Sequence, residues 1–199
     1  MHYLFEKGQP HGKKLLLLHG TGGDETSMLE IARFLDEEAT LLSFRGTVQE
    51  DGMNRFFKRN GLNQFDLVSL EEESDHLIQS IRSVSEDKGV SLDEWIFVGY
   101  SNGANIAAHM LLERELAVKN AILFHPMSLG VDTQKFSLSN KAFWLSVSEN
   151  DPIVSKEASN QLIHQLQIRE AKVTIAATHS GHQITMDEIN QAKQWLSKH

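Results

Sequence analysis

Trp95-Ile96-Phe97-Val98-Gly99-Tyr100-Ser101-Asn102-Gly103-Ala104-Asn105 is the stretch around which the chain is organised. The four apolar residues Trp95 to Val98 read as a buried strand, and the run Ile106 to Leu112 reads as a buried helix. Between them lies a G-x-S-x-G pentapeptide, Gly99 to Gly103, at a strand-to-helix junction. A turn that sharp holds its central serine in a strained backbone conformation. It also presses together the residues two before and two after, positions that glycine fills without a side chain. Such a turn presents the Ser101 hydroxyl at the tip of a sheet, where a nucleophile is wanted. The pentapeptide alone has modest specificity, so the partner groups have to come from the rest of the chain.

The bulk properties narrow the setting. A chain of 199 residues builds one sizeable core, and 40% hydrophobic with 23% charged residues is ordinary for a globular domain. The formal net charge of −8 argues against nucleic acid and anionic membrane surfaces as partners. There is no cysteine, which excludes disulfides, a thiolate nucleophile and a Cys-based metal site. The start, Met1 to Glu6, lacks the basic and apolar regions of a secretion signal, and Leu15 to Leu18 is too short to span a bilayer. A cytoplasmic location is the expectation. The oligomeric state is left open, with a homodimer allowed.

Along the chain, short apolar runs alternate with helical periodicity. Strands are expected at Tyr3 to Phe5, Leu15 to Leu18, Leu41 to Phe44, Trp95 to Val98, Ala121 to Phe124, Ala142 to Val147 and Val173 to Ala176. Capping boxes at Ser27-x-x-Glu30, Ser69-x-x-Glu72 and Thr185-x-x-Glu188 predict helix starts, and Gly89 predicts a helix end. A further helix carries Ala158, Leu162, Ile163 and Leu166. Arg45 to Asp66 shows no clean period, and Met53, Phe56, Phe57 and Phe65 mark it as a packed functional loop. Trp144 and Trp195 read as core. The alternation predicts a mostly parallel sheet of about seven strands with helices on both faces, in a single domain over residues 1–199. Chemistry in such sheets sits beyond the carboxyl ends of the strands.

The suggestive residues fall in those loops. Serine needs an adjacent base, itself oriented by a carboxylate. Asp151 follows the strand Ala142 to Val147 and His182 follows Val173 to Ala176, giving the order serine, acid, histidine. His179 is the other histidine of the last loop; Gly181 and the distance from the strand end favour His182. The pair His179-x-x-His182 lacks the third ligand that a zinc site needs, so no metal and no cofactor is expected. A tetrahedral oxyanion calls for N–H donors. The Asn102 N–H, at a helix start, supplies one. The Gly-rich loop His19 to Asp24 supplies the other through Thr21. That loop lacks the phosphate-binding signatures G-x-x-x-x-G-K-[ST] and G-x-G-x-x-G. Phe56 and Phe57 admit two roles, sealing the sheet edge or walling a substrate.

Taken together, the chain resembles the phospholipase/carboxylesterase branch of the α/β-hydrolases, which includes acyl-protein thioesterases and small bacterial hydrolases linked to quinone or hydroquinone stress. The matching pieces are Leu18 to Asp24, Arg45-Gly46, Asp51 to Phe57, Gly99 to Gly103, Asp151 to Val154 and Ser180 to His182. The resemblance implies an α/β-hydrolase fold without a large lid domain. It implies Ser101 as nucleophile, His182 as base and then acid, Asp151 as orienting acid, Thr21 and Asn102 as oxyanion donors, and Met53, Phe56 and Phe57 along the acyl side. Acyl-protein thioesterases usually carry Gln where this chain has Asn102. The expected activity is hydrolysis of short- to medium-chain carboxylic esters, small-molecule substrates, through an acyl-serine. Thioesterase or lysophospholipase activity is the alternative within the class. A binding or sensor protein with little turnover is the alternative outside it.

Overall fold

The computed structural model describes residues 1–199. In chain order it contains β1 (Tyr3–Glu6), β2 (Lys14–Leu18), α1 (Leu29–Leu35), β3 (Thr40–Phe44), β4 (Val48–Glu50), β5 (Met53–Arg55), β6 (Arg59–Gly61), β7 (Gln64–Phe65) and α2 (Leu67–Lys88). After a single 3-10 turn come β8 (Trp95–Tyr100), α3 (Asn102–Glu113), β9 (Asn120–Phe124), β10 (Ala142–Ser148), α4 (Lys156–Gln167), β11 (Lys172–Thr178) and α5 (Met186–Leu196). Seven strands form one sheet in the order β1-β3-β2-β8-β9-β10-β11. All its pairs are parallel except β1 with β3.

The strands alternate between two cores, as the two-residue period of a pleated strand requires. Leu16, Leu18, Trp95, Phe97, Phe143 and Leu145 face the core that α2, α3 and α4 cover. Leu15, Leu17, Ile96, Val98, Ala142 and Trp144 face the one covered by α1 and α5. Burial on both faces is why Leu15 to Leu18 reads as an unbroken apolar run. Each such leucine contributes roughly 1.5–3 kcal/mol by leaving water. Every residue of α3 is buried, and β8, which feeds it, is the central strand. No helix is long and apolar enough to cross a membrane.

Three expectations change. The long segment after β3 is no loop but two small hairpins, β4–β5 and β6–β7. The Ser27 box does not form: the Ser27 hydroxyl accepts the Asp24 N–H at 2.9 Å, and α1 starts later without a side-chain cap. Nor does the Ser69 box. Asp66 caps α2 by accepting the Ser69 N–H at 3.0 Å, while the Ser69 hydroxyl accepts from Lys58 N–H. The box at Thr185 and Glu188 is present, and Gly89 ends α2 at φ 66°.

The two elbow glycines are required for different reasons. A Cβ on Gly99 would stand 2.7 Å from the Ala104 Cα, inside the turn itself. A Cβ on Gly103 would stand 2.1 Å from the Leu18 carbonyl oxygen, because the first turn of α3 lies directly on the end of β2. Gly103→Ala is therefore expected to cost about 3 kcal/mol or more in urea denaturation. Gly89→Ala, where nothing lies within 4 Å and only the left-handed backbone objects, should cost about 1–2 kcal/mol. Equal losses at the two sites would mean that the contact with β2 is not tight.

Candidate active site

Ser101 takes φ 49° and ψ −112°, outside the regions open to most L-residues. Its N–H donates to the Phe124 carbonyl at 2.9 Å, which ties the elbow to β9. Its hydroxyl lies 2.8 Å from His182 Nε2, and His182 Nδ1 lies 2.7 Å from Asp151 Oδ2. A carboxylate oxygen only accepts, so the proton sits on Nδ1 and Nε2 is left to accept the Ser101 O–H. The other oxygen of Asp151 accepts the N–H groups of Ile153 (2.8 Å) and Val154 (2.9 Å) in the turn that Pro152 helps to shape. Burial would raise the Asp151 pKa, but the bonds from Val154, His182 and Ile153 outweigh it and hold the carboxyl below its ordinary value.

The loop that carries His182 is fastened at several points. The Tyr100 hydroxyl donates to the His182 carbonyl at 2.9 Å, and Gly181 N–H donates to the Ser148 hydroxyl at 3.1 Å. His179 points elsewhere: its side chain is 73% exposed and lies 3.2 Å from Glu149. The structure thus brings Ser101, Asp151 and His182 together and leaves His179 outside.

The Thr21 and Asn102 N–H groups make no hydrogen bond within the protein. Around them the hairpin β4–β5 acts as a brace. The Asn54 carbonyl accepts the Gly22 N–H at 2.9 Å and its amide donates to the Gly23 carbonyl at 2.7 Å. Arg55 donates to the Thr21 hydroxyl at 2.7 Å. The Asn102 side-chain oxygen accepts the Phe56 N–H at 2.7 Å, joining the elbow to the same brace. His19 links the neighbouring strands: Nδ1 lies 2.6 Å from the Gly20 carbonyl and Nε2 accepts the Gly46 N–H at 3.0 Å. Burial, the dominant influence, lowers its pKa. Gly46 is needed because a Cβ there would meet the Arg55 carbonyl at 2.3 Å.

Met53, Phe56 and Phe57 do not line the cavity in front of Ser101, which corrects the expectation of a substrate wall. Phe56 (1% exposed) packs on the His19 ring at 4.7 Å between centroids, and Phe57 (0%) packs on Phe65 at 5.6 Å. Their apolar area belongs to the core beneath the brace. Met53 lies beside Gly22. The cavity, about 240 Å³, is bounded instead by Arg55, Arg59, Leu62, Phe65, Met127 and Ile153 around the serine.

Sequence reasoning also missed His125 and Glu188. His125 is fully buried, with Nδ1 3.2 Å from Asp151 Oδ2 and Nε2 2.9 Å from Glu188 Oε1. Asp151 therefore faces two imidazoles. His125, Asp151 and His182 are the one cluster of three metal-ligating side chains, within 4.8 Å of each other. Both His182 nitrogens are already engaged by Ser101 and Asp151. The position of His125 at the end of a strand on the same rim was the available signal. Glu188 read only as the acid of a capping box, which it also is, accepting the Thr185 N–H at 2.7 Å.

The model of the phospholipase/carboxylesterase family matches residues 2–199. The chain belongs to that family. With membership comes the class of enzyme, a hydrolase acting on ester bonds. MhqD of Bacillus subtilis (strain 168) is 38% identical over 198 residues, covering 100% of this chain and 98% of that one. The crystal structure of the Bacillus cereus carboxylesterase superposes with a TM-score of 0.95 at 39% identity, covering 98% of this chain and 93% of that one. A structure of YahD with malic acid gives 0.95 at 37%, covering 99% and 98%. These relatives share the α/β-hydrolase fold, and as in the resemblance no lid is built over the sheet.

Asp151 and Glu188 predict an acid limb to stability. For Glu188 burial raises the pKa, but the bonds from His125 and Thr185 lower it further, leaving it below its ordinary value. A carboxyl whose folded pKa is depressed contributes stability that is complete above the unfolded value and is lost as pH falls through the folded one. Urea midpoints should therefore drop steeply below about pH 4. Glu188→Gln should start lower at neutral pH and fall less on acidification; an unchanged slope would mean that Glu188 titrates alike in both states.

Proposed function

We propose that the protein is a serine carboxylesterase that hydrolyses short- to medium-chain carboxylic esters through an acyl-serine intermediate. The observation that carries the reading is the unbroken chain Ser101–His182–Asp151, with spacings of 2.8 and 2.7 Å, beside two N–H groups that bond to nothing else. The substrate carbonyl oxygen enters between the Thr21 and Asn102 N–H groups, where negative charge will develop. His182 Nε2 takes the Ser101 proton as the oxygen attacks, and Asp151 stabilises the imidazolium. The tetrahedral adduct collapses, and His182 returns the proton to the departing alkoxide as the alcohol leaves. Water then enters, gives its proton to the same nitrogen and releases the acid, restoring Ser101.

The size of the cavity supports small substrates, because about 240 Å³ lies below the roughly 300–1,000 Å³ typical of sites for drug-sized ligands. Carboxylesterase is also the description of the Bacillus cereus neighbour at 39% identity.

A fluorophosphonate probe should label the wild type covalently and leave Ser101→Ala unlabelled, read by intact-mass spectrometry. Absence of label on the wild type would overturn the reading. Asp151→Asn should lower kcat by about 10⁴-fold, and His182→Ala by a comparable amount, whereas His179→Ala should behave like the wild type. With p-nitrophenyl esters, kcat/KM should peak between acetyl and about hexanoyl chains. A steady rise toward long chains would favour a lipid substrate instead.

A further inference from the structure

The cavity in front of Ser101 has an unusual charge for its setting. The chain carries a net charge of −8, yet two arginines and no carboxylate line this cavity. Arg55 is only 4% exposed, and Arg59 about one quarter. Glu50, behind them, is their one acidic partner: its Oε1 accepts from Arg59 Nε at 2.5 Å and its Oε2 stands 3.4 Å from Arg55 Nε. Two guanidiniums against one carboxylate leave one positive charge at the wall.

The hydrogen-bond inventory points the same way. Arg55 uses Nε toward the Phe57 carbonyl and Nη1 toward the Thr21 hydroxyl, and its Nη2 donates to no protein group. Arg59 donates through Nε alone, leaving both Nη groups without an acceptor. Asn102, which lines the same cavity, has a buried side-chain amide nitrogen with no partner. All of these unpartnered groups are donors. A wall with free guanidinium donors and one excess positive charge suits an acceptor with one negative charge, which a planar guanidinium binds in two-point fashion.

We infer that Arg55 and Arg59 form an anion subsite, and that the ester cleaved at Ser101 carries a free carboxylate, as in the half-ester of a dicarboxylic acid or the acyl ester of a hydroxy acid. The inference rests on the esterase reading and adds the substrate class to it. A single excess charge matches a monoanionic carboxylate better than a dianionic phosphate. The hairpins between β3 and α2 supply the cationic wall, while Met127, Ile153 and Val154, after β9 and β10, supply apolar surface. Because Arg55 also holds Thr21, Arg59 is the cleaner position to probe.

The test pairs each charged ester with a neutral ester of the same shape, followed by pH-stat titration. Monomethyl succinate against methyl 4-methylpentanoate places the carboxylate on the acyl side; O-acetylglycolate against isobutyl acetate places it on the leaving group. In at least one pair the wild type should favour the charged ester in kcat/KM by about 10-fold or more, and the favoured pair says which side the carboxylate occupies. Arg59→Gln should collapse that ratio and Arg59→Lys should restore part of it. A wild type that takes fluorophosphonate but shows no preference in either pair, or hydrolyses none of the four, overturns the inference and leaves the serine reading intact. So does an Arg59→Gln variant whose ratio equals that of the wild type. A wild type that fails to label removes the esterase reading first.

Discussion

The first turn of α3 rests on the last residue of β2 so closely that no side chain fits between them at Gly103. Much of the site follows from that contact. The turn from β8 into α3 must be completed in one residue, so Ser101 is held at φ 49°, a conformation that costs of order 1–3 kcal/mol. The cost is tolerated because β8 is the central strand and every residue of α3 is buried, which leaves the elbow nowhere to relax. The chain leaving β2 at Leu18 is also the chain that carries Thr21. One packing contact therefore sets the serine, the Asn102 N–H and the Thr21 loop in a fixed relation.

That loop would still be soft without the brace beside it. Three consecutive loop residues, Thr21 to Gly23, are each held by Asn54 or Arg55, and Asn102 reaches across to Phe56. Donors held in place before the substrate arrives need little reorganisation when charge develops on the oxyanion. Asn at position 102 has its own part in this. Its side chain bonds the brace through the oxygen, while its backbone N–H stays open.

The seven strands and the placing of Ser101, Asp151 and His182 just beyond strand ends were legible because both follow from a buried parallel sheet. Strands covered on both faces read as continuous apolar runs, and the loops after them share one rim whatever their separation in sequence. The rest depended on contacts that no local window contains. Val48 to Phe65 is too short and too mixed for a period; its first hairpin is held by the Gly-rich loop and the elbow and the tip of its second by Ile153, all far away in sequence. Phe56 and Phe57 could have faced either way from composition alone; burial against His19 and Phe65 decides it. His125 and Glu188 meet only through folding. Ser27 fails as a cap because its hydroxyl accepts the Asp24 N–H instead, and Ser69 because Asp66, three residues earlier, already caps the helix.

No lid domain is built over the rim; beside the serine only the short β6–β7 hairpin reaches across, its Asn63 amide donating to the Ile153 carbonyl at 2.8 Å. The consequence concerns the fate of an acyl group once it is attached to Ser101. An enzyme that passes acyl groups to a chosen alcohol or amine has to shield the intermediate until that acceptor arrives. In the proposed cycle water needs no rearrangement to reach the acyl carbonyl, so the acyl-serine is expected to partition to the free acid.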